Sequence, residues 1–214
     1  MPTEWISVVP NVITAVSGLA GVALGGFLTS NRERFREAAS SAKAANYLAI
    51  LVVAHLDRFV DGCVNVVGDD GTSYGQPAGE GGVHEPTVER PKFDPLAIDV
   101  DWKSLPADLM YPILNLPYQI ETLEHYIGAV AEFDHPPDYV DTFWARQHGY
   151  ALLGTEVSSL ATRLRNHANL PALPRHPTGW DRDSYLHDQK ERLEENRYWY
   201  EAALQKSESE LNNL

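Results

Sequence analysis

LPYQIETLEHYIGAV, residues 116–130, is the stretch from which the fold is read. Leu116, Ile120, Leu123, Ile127 and Val130 step by four, three, four and three, so they fall on one stripe of a helix. Such a stripe is stable only when it is covered, which asks whether the flanking sequence supplies further helices.

Downstream it does. Phe143, Tyr150, Val157 and Leu164 repeat every seven residues, with Leu153, Leu160 and His167 alongside, and predict a helix from about Asp138 to Ala168. After LPALPRHPTG (170–179) a last helix is expected from about Trp180 to Asn212. Its seam of Leu186, Leu193, Tyr200, Leu204 and Leu211 is sparse. Asp188–Arg192, Lys190–Glu194 and Arg197–Glu201 give it i,i+4 pairs on solvated faces.

Upstream, Ser104 offers an N-cap with Pro106 in the first turn, while Pro112 and Pro117 are expected to interrupt or kink the helix. Residues 68–104 are rich in Gly and Pro and keep neither helical nor strand periodicity, so they read as an exposed, partly mobile acidic insertion. Within it LAIDVDW (96–102) alternates and suggests a short extended segment. Residues 32–67 read as one long helix whose apolar side chains crowd from Tyr47 to Ala54 and continue through Leu56, Phe59, Val60, Cys63 and Val64. The uncharged run between Lys43 and Asp57 is too short to cross a bilayer and is expected to be a buried helix centre. Cys63 then reads as a small core residue. The prediction is an all-α fold: a bundle of about four helices with one insertion and no credible sheet.

The first residues are different. From Trp5 to Asn31 no side chain carries a charge, over twenty-seven positions. A spanning helix needs about 20 apolar residues, so residues 1–31 are expected to form an N-terminal transmembrane anchor in contact with lipid, with Trp5 at the interface. A cleaved signal peptide needs a basic leader, and the charge before this run is Glu4. A buried core helix rarely lacks a polar face over such a length. Arg32, Arg34, Arg36 and Lys43 follow the run, which sets the N-terminus outside and the remainder in the cytoplasm, a single-pass cell-membrane protein. Ser17, Gly21, Gly25 and Thr29 recur every four residues and form a small-residue stripe suited to helix–helix packing in a homo-oligomer. The expected divisions are 1–31, 32–67, 68–104 and 105–214.

Composition narrows the function classes. The chain has 214 residues, 43% hydrophobic and 22% charged, which excludes wholesale disorder. A net charge of −13 argues against direct nucleic-acid binding. The charge is concentrated: residues 61–141 hold sixteen acids against Arg90, Lys92 and Lys103, an acidic block that could meet a basic protein partner or act as an acidic mimic. A single cysteine excludes an intrachain disulfide and a Cys-built zinc site.

Motifs for chemistry are thin. GTSYG (71–75) matches the nucleophile-elbow pattern, but neither strand nor helix signals flank Ser73. HEPTV (84–88) has Val88 where a zincin needs its second histidine. Glu132–His135 is the sole Glu-x-x-His pair, and His187-Asp188 lacks the downstream aspartate of helical phosphohydrolases. The GDDG and Asp99–Asp101 clusters lack EF-hand spacing. One constellation remains: Glu121–His125 and Asp183–His187 are i,i+4 carboxylate–imidazole pairs that would form a metal site, and a tethered metal-dependent hydrolase, if their helices faced each other. Tyr198-Trp199-Tyr200 covers about 200° of helix arc, so one narrow face cannot bury all three rings and at least one should meet a partner. The expectation is a non-catalytic scaffold, adaptor or effector without a cofactor, acting through self-association and protein contacts at the membrane face.

Overall fold

The computed structural model describes residues 8–174 and 176–211, with side chains from Arg32 onward except at 37, 38, 208 and 211. The fold is all-α. Among the described residues the helices are α1 (Val8–Val67), α2 (Ala107–Ala131), α3 (Val140–His167) and α4 (Arg182–Leu211). The chain divides into two compact units, Met1–Ala45 and Asn46–Leu214.

In the first unit the side chains of Arg32, Glu33, Arg34, Phe35 and Arg36 are exposed. Among the described residues no helix is long and apolar enough to cross a membrane. The side chains of the run Trp5–Asn31, with Ser17, Gly21, Gly25 and Thr29, lie outside the described residues.

The second unit is a helical bundle around one core. From α1 it takes Leu48, Val52, Leu56, Phe59, Val60, Cys63 and Val67, all buried at helical spacing. Leu109, Ile113, Leu116, Ile120 and Ile127 enter from α2, and Tyr150, Leu153, Val157, Leu160 and Leu164 from α3. Leu186 of α4 joins them. α3 is the helix on which both α2 and α4 pack. Gly154 permits a close approach there, since a Cβ at that position would stand 3.0 Å from both Cys63 Cβ and Leu186 Cδ1. Burial pushes the Cys63 thiol far above its ordinary pKa, so it stays protonated.

Several local expectations are corrected. α2 runs as one helix through Pro112 and Pro117. Pro112 has no N–H for the carbonyl of Asp108, and Arg163 Nη2 donates to that oxygen instead at 3.0 Å. The N-cap is Pro106, not Ser104, whose hydroxyl donates to Asp101 O. His167 is exposed at the end of α3 and takes no part in its seam. LAIDVDW forms no strand: Pro95–Ala97 and Trp102–Ser104 are 3-10 turns, capped by the carboxylates of Asp94 and Asp101, and extended backbone is kept between them at Ile98 and Asp101.

The insertion has local structure of its own. It holds a small hairpin, β1 (Thr72–Ser73) paired antiparallel with β2 (Gln76–Pro77), turning on Tyr74 and Gly75 with φ of 52° and 74°. Phe93, Pro95 and Ile98 are buried, and Phe93 meets Phe59 of α1 edge-on at 6.3 Å. Gly62 makes room, because a Cβ there would lie 2.6 Å from Pro91 Cβ.

Candidate functional site

Two ionic nodes, one buried and one half-buried, organise the second unit, and both depend on buried arginines. Asp69, just past α1, is buried with Arg146 of α3. Arg146 Nη1 donates to Asp69 Oδ2 at 2.6 Å and Nη2 to the carbonyl of Val88 at 2.6 Å. Asp69 also accepts from the backbone N–H groups of Gly71, Thr87 and Val88 and from the Thr87 hydroxyl. Burial alone would raise its pKa, but these hydrogen bonds outweigh it and hold the carboxyl below its ordinary value. In the second node Asp57 of α1 accepts from Arg165 of α3 and, at 2.7 Å, from Arg182 Nη2 at the start of α4. Arg182 reaches Asp61 as well, at 3.1 Å. Each node is a joint between elements, with carboxylate and arginine paired from within, although Arg146 Nε and Arg182 Nε are buried without a hydrogen-bond partner.

Clefts lie beside both. The larger, about 680 Å³, is lined by His84, Glu85, Thr142, Phe143 and Arg146 among others. His84 Nδ1 stands 2.9 Å from Asp70 O, which fixes the proton on that nitrogen, and the ring meets Phe143 edge-on. The other, about 570 Å³, runs past Asp57, Asp61, Arg182 and Trp180.

The metal quartet is not brought together. Glu121 and His125 are exposed on α2, whereas Asp183 and His187 belong to α4, each helix packing on α3. Asp183 Oδ1 accepts from Ser158 Oγ at 2.6 Å, and His187 Nε2 lies 3.2 Å from Glu191. Among the described residues no group of three or more His, Cys, Asp or Glu side chains is placed to hold a metal ion. Ser73 sits exposed in the hairpin, and the element that follows it is strand β2 rather than an α-helix. Many acids of the 61–141 block serve internal bonds: Asp69, Asp70, Asp94, Asp101 and Asp134 each accept from backbone N–H groups close by.

The aromatic end of α4 is open to solvent. Tyr198, Trp199 and Tyr200 are 65%, 63% and 44% exposed. An arc of about 200° leaves at least one ring outside a narrow face, and all three lie substantially outside. The seam of α4 is buried at Leu186 and Leu193 and then stops, with Tyr200 and Leu204 in solvent. Arg197 organises this corner: its guanidinium lies 5.0 Å from the Trp144 ring centre and 5.7 Å from that of Tyr200. Its hydrogen bonds to the accepting carboxylates of Asp141 and Glu201 favour the charged form and raise its pKa further. Trp144 stacks on His148 at 4.8 Å, and His148 reaches Glu194 at 3.0 Å. Tyr126, Val130 and Phe133 complete a shallow cleft of about 220 Å³ with Asp141, Trp144 and Arg197. Exposed Tyr and Trp around a fixed Arg is the composition of protein-binding hot spots.

Sequence reasoning missed both nodes and the Arg197–Trp144 stack. The available signal was the position of Arg146, three residues after Phe143 and four before Tyr150, which puts a charge on the buried stripe of α3. A charge there must meet a buried partner.

The fold defines the class of protein: an all-α helical bundle with a tethered insertion. Comparison with known proteins finds no matching family model, no similar curated protein and no similar solved structure.

Proposed function

We propose that the chain is a membrane-anchored, non-catalytic scaffold or adaptor that works through self-association and protein contacts at the cytoplasmic face. The observation that carries this reading is the uncovered aromatic end of α4, where Tyr198, Trp199 and Tyr200 stand in solvent beside Arg197. Exposed rings on this scale are stable in water only at a cost in solubility that an interface removes. The anchor rests on the uncharged run Trp5–Asn31 and the exposed basic residues Arg32, Arg34, Arg36 and Lys43 that follow it.

The test has two arms on the full chain. With a C-terminal tag, the protein should resist alkaline extraction from membranes, and the tag should be digested only after cells are opened. Extraction by alkali, or digestion in intact cells, overturns the address. In the second arm, Trp199→Ala with Tyr200→Ala should weaken assembly at least tenfold in analytical ultracentrifugation, with helical circular dichroism unchanged. Undiminished assembly overturns the role given to this end.

A further inference from the structure

α2 carries two heptad stripes. The inward one is Leu109, Ile113, Leu116, Ile120, Leu123 and Ile127, buried or packed against the core. Two residues behind each member lies a second set with the same 4-3-4-3-4 steps: Tyr111, Asn115, Tyr118, Thr122, His125 and Ala129. An offset of two residues is about 200° of arc, so this set runs along the opposite side of the helix. It faces solvent: Tyr111 is 69% and Tyr118 66% exposed, Thr122, His125 and Ala129 are exposed as well, and Asn115 is half-buried. None of its six positions is Asp, Glu, Lys or Arg, in a chain of net charge −13. A solvated helix face of that length normally carries charges.

From this stripe we infer that α2 is a second self-association face of the bundle, besides the aromatic end of α4, pairing antiparallel with α2 of a second copy about a two-fold axis near residue 120. The inference rests on the scaffold reading and says where the copies meet. Three observations select the second copy over another partner. A partner chosen by opposite charge would leave charges on the face, and this face has none; it suits a partner of the same sign. Tyr, Asn, Thr and His each donate and accept, so the stripe can bond to its own two-fold image. Antiparallel pairing also matches sizes: Tyr111 opposes Ala129, Tyr118 opposes Thr122, and Asn115 opposes His125 of the other copy. Parallel pairing would set tyrosine on tyrosine. Thr122 Oγ1 already donates to Tyr118 O at 2.8 Å, so toward a partner's phenol it would act as an acceptor.

The test is disulfide trapping in the full chain. Cys63 is buried and stays in place. Residues 111 and 129 of one α2 are about 27 Å apart along the axis, so cysteines there cannot join within a copy. The Tyr111→Cys/Ala129→Cys double variant should form covalent dimers on mild oxidation, and each single variant alone should not. Mixing the two single variants should restore dimers. Dimers from Tyr111→Cys alone, or none from the double variant, overturn the antiparallel face. Sedimentation of the wild-type chain separates the two failures. An oligomeric wild type with an untrapped double variant removes the α2 face and leaves the scaffold reading standing; a monomeric wild type removes both.

Discussion

Arg146 shows what one residue does in this bundle. Its guanidinium holds a carboxylate from the end of α1 and a carbonyl from the insertion, so three segments meet on one side chain. Replacing it with leucine keeps the volume roughly but strands Asp69 in a site that is 1% exposed. An uncompensated buried charge of this kind costs about 3–5 kcal/mol. Urea denaturation of Arg146→Leu at neutral pH should show that loss, and Asp69→Asn in the same background should recover part of it. The pH dependence follows from the lowered pKa of Asp69. A carboxyl depressed in the folded state contributes stability that is complete above its unfolded value, near pH 4, and disappears as pH falls through the folded value. Wild-type stability should therefore drop below about pH 4, and Asp69→Asn should flatten that part of the curve.

At the scale of elements, the α3 crossing depends on the absence of a side chain. Gly154→Val would push against Cys63 and Leu186 at separations already tight for one Cβ, and overpacking at such a contact costs about 1–3 kcal/mol. Thermal unfolding should fall accordingly, while Gly128→Ala, with nothing within 4 Å, should leave the midpoint unchanged or raise it. The helices themselves were legible because each core face repeats: Leu116, Ile120 and Ile127 are buried in the order their spacing required. Boundaries and breaks were less so. Pro112 reads locally as an interruption, and what keeps α2 whole is Arg163, fifty-one residues further along, which no local pattern contains. The same holds for 68–104. Its Gly and Pro content keeps no periodicity, and the burial of Asp69, Phe93 and Ile98 against the bundle is set by residues distant in the sequence.

For the molecule as a whole, charge was the most legible property and its use the least. The sixteen acids of 61–141 read as a surface block, yet several cap turns or neutralise arginines inside the fold. The aromatic end of α4 was visible because three adjacent rings exceed any single helix face; the stack of Arg197 on Trp144 was not, since it joins residues on different helices. The way Asp69, Thr87 and Val88 converge on one node has an outcome for cleavage. Tyr74 projects from the hairpin tip, wholly in solvent, with the chain on either side of it fastened at that node. Brief chymotrypsin treatment should nick there first, giving two bands on a denaturing gel but one unchanged peak in size-exclusion chromatography. The severed halves would behave as a non-covalent pair, still able to melt together as one body.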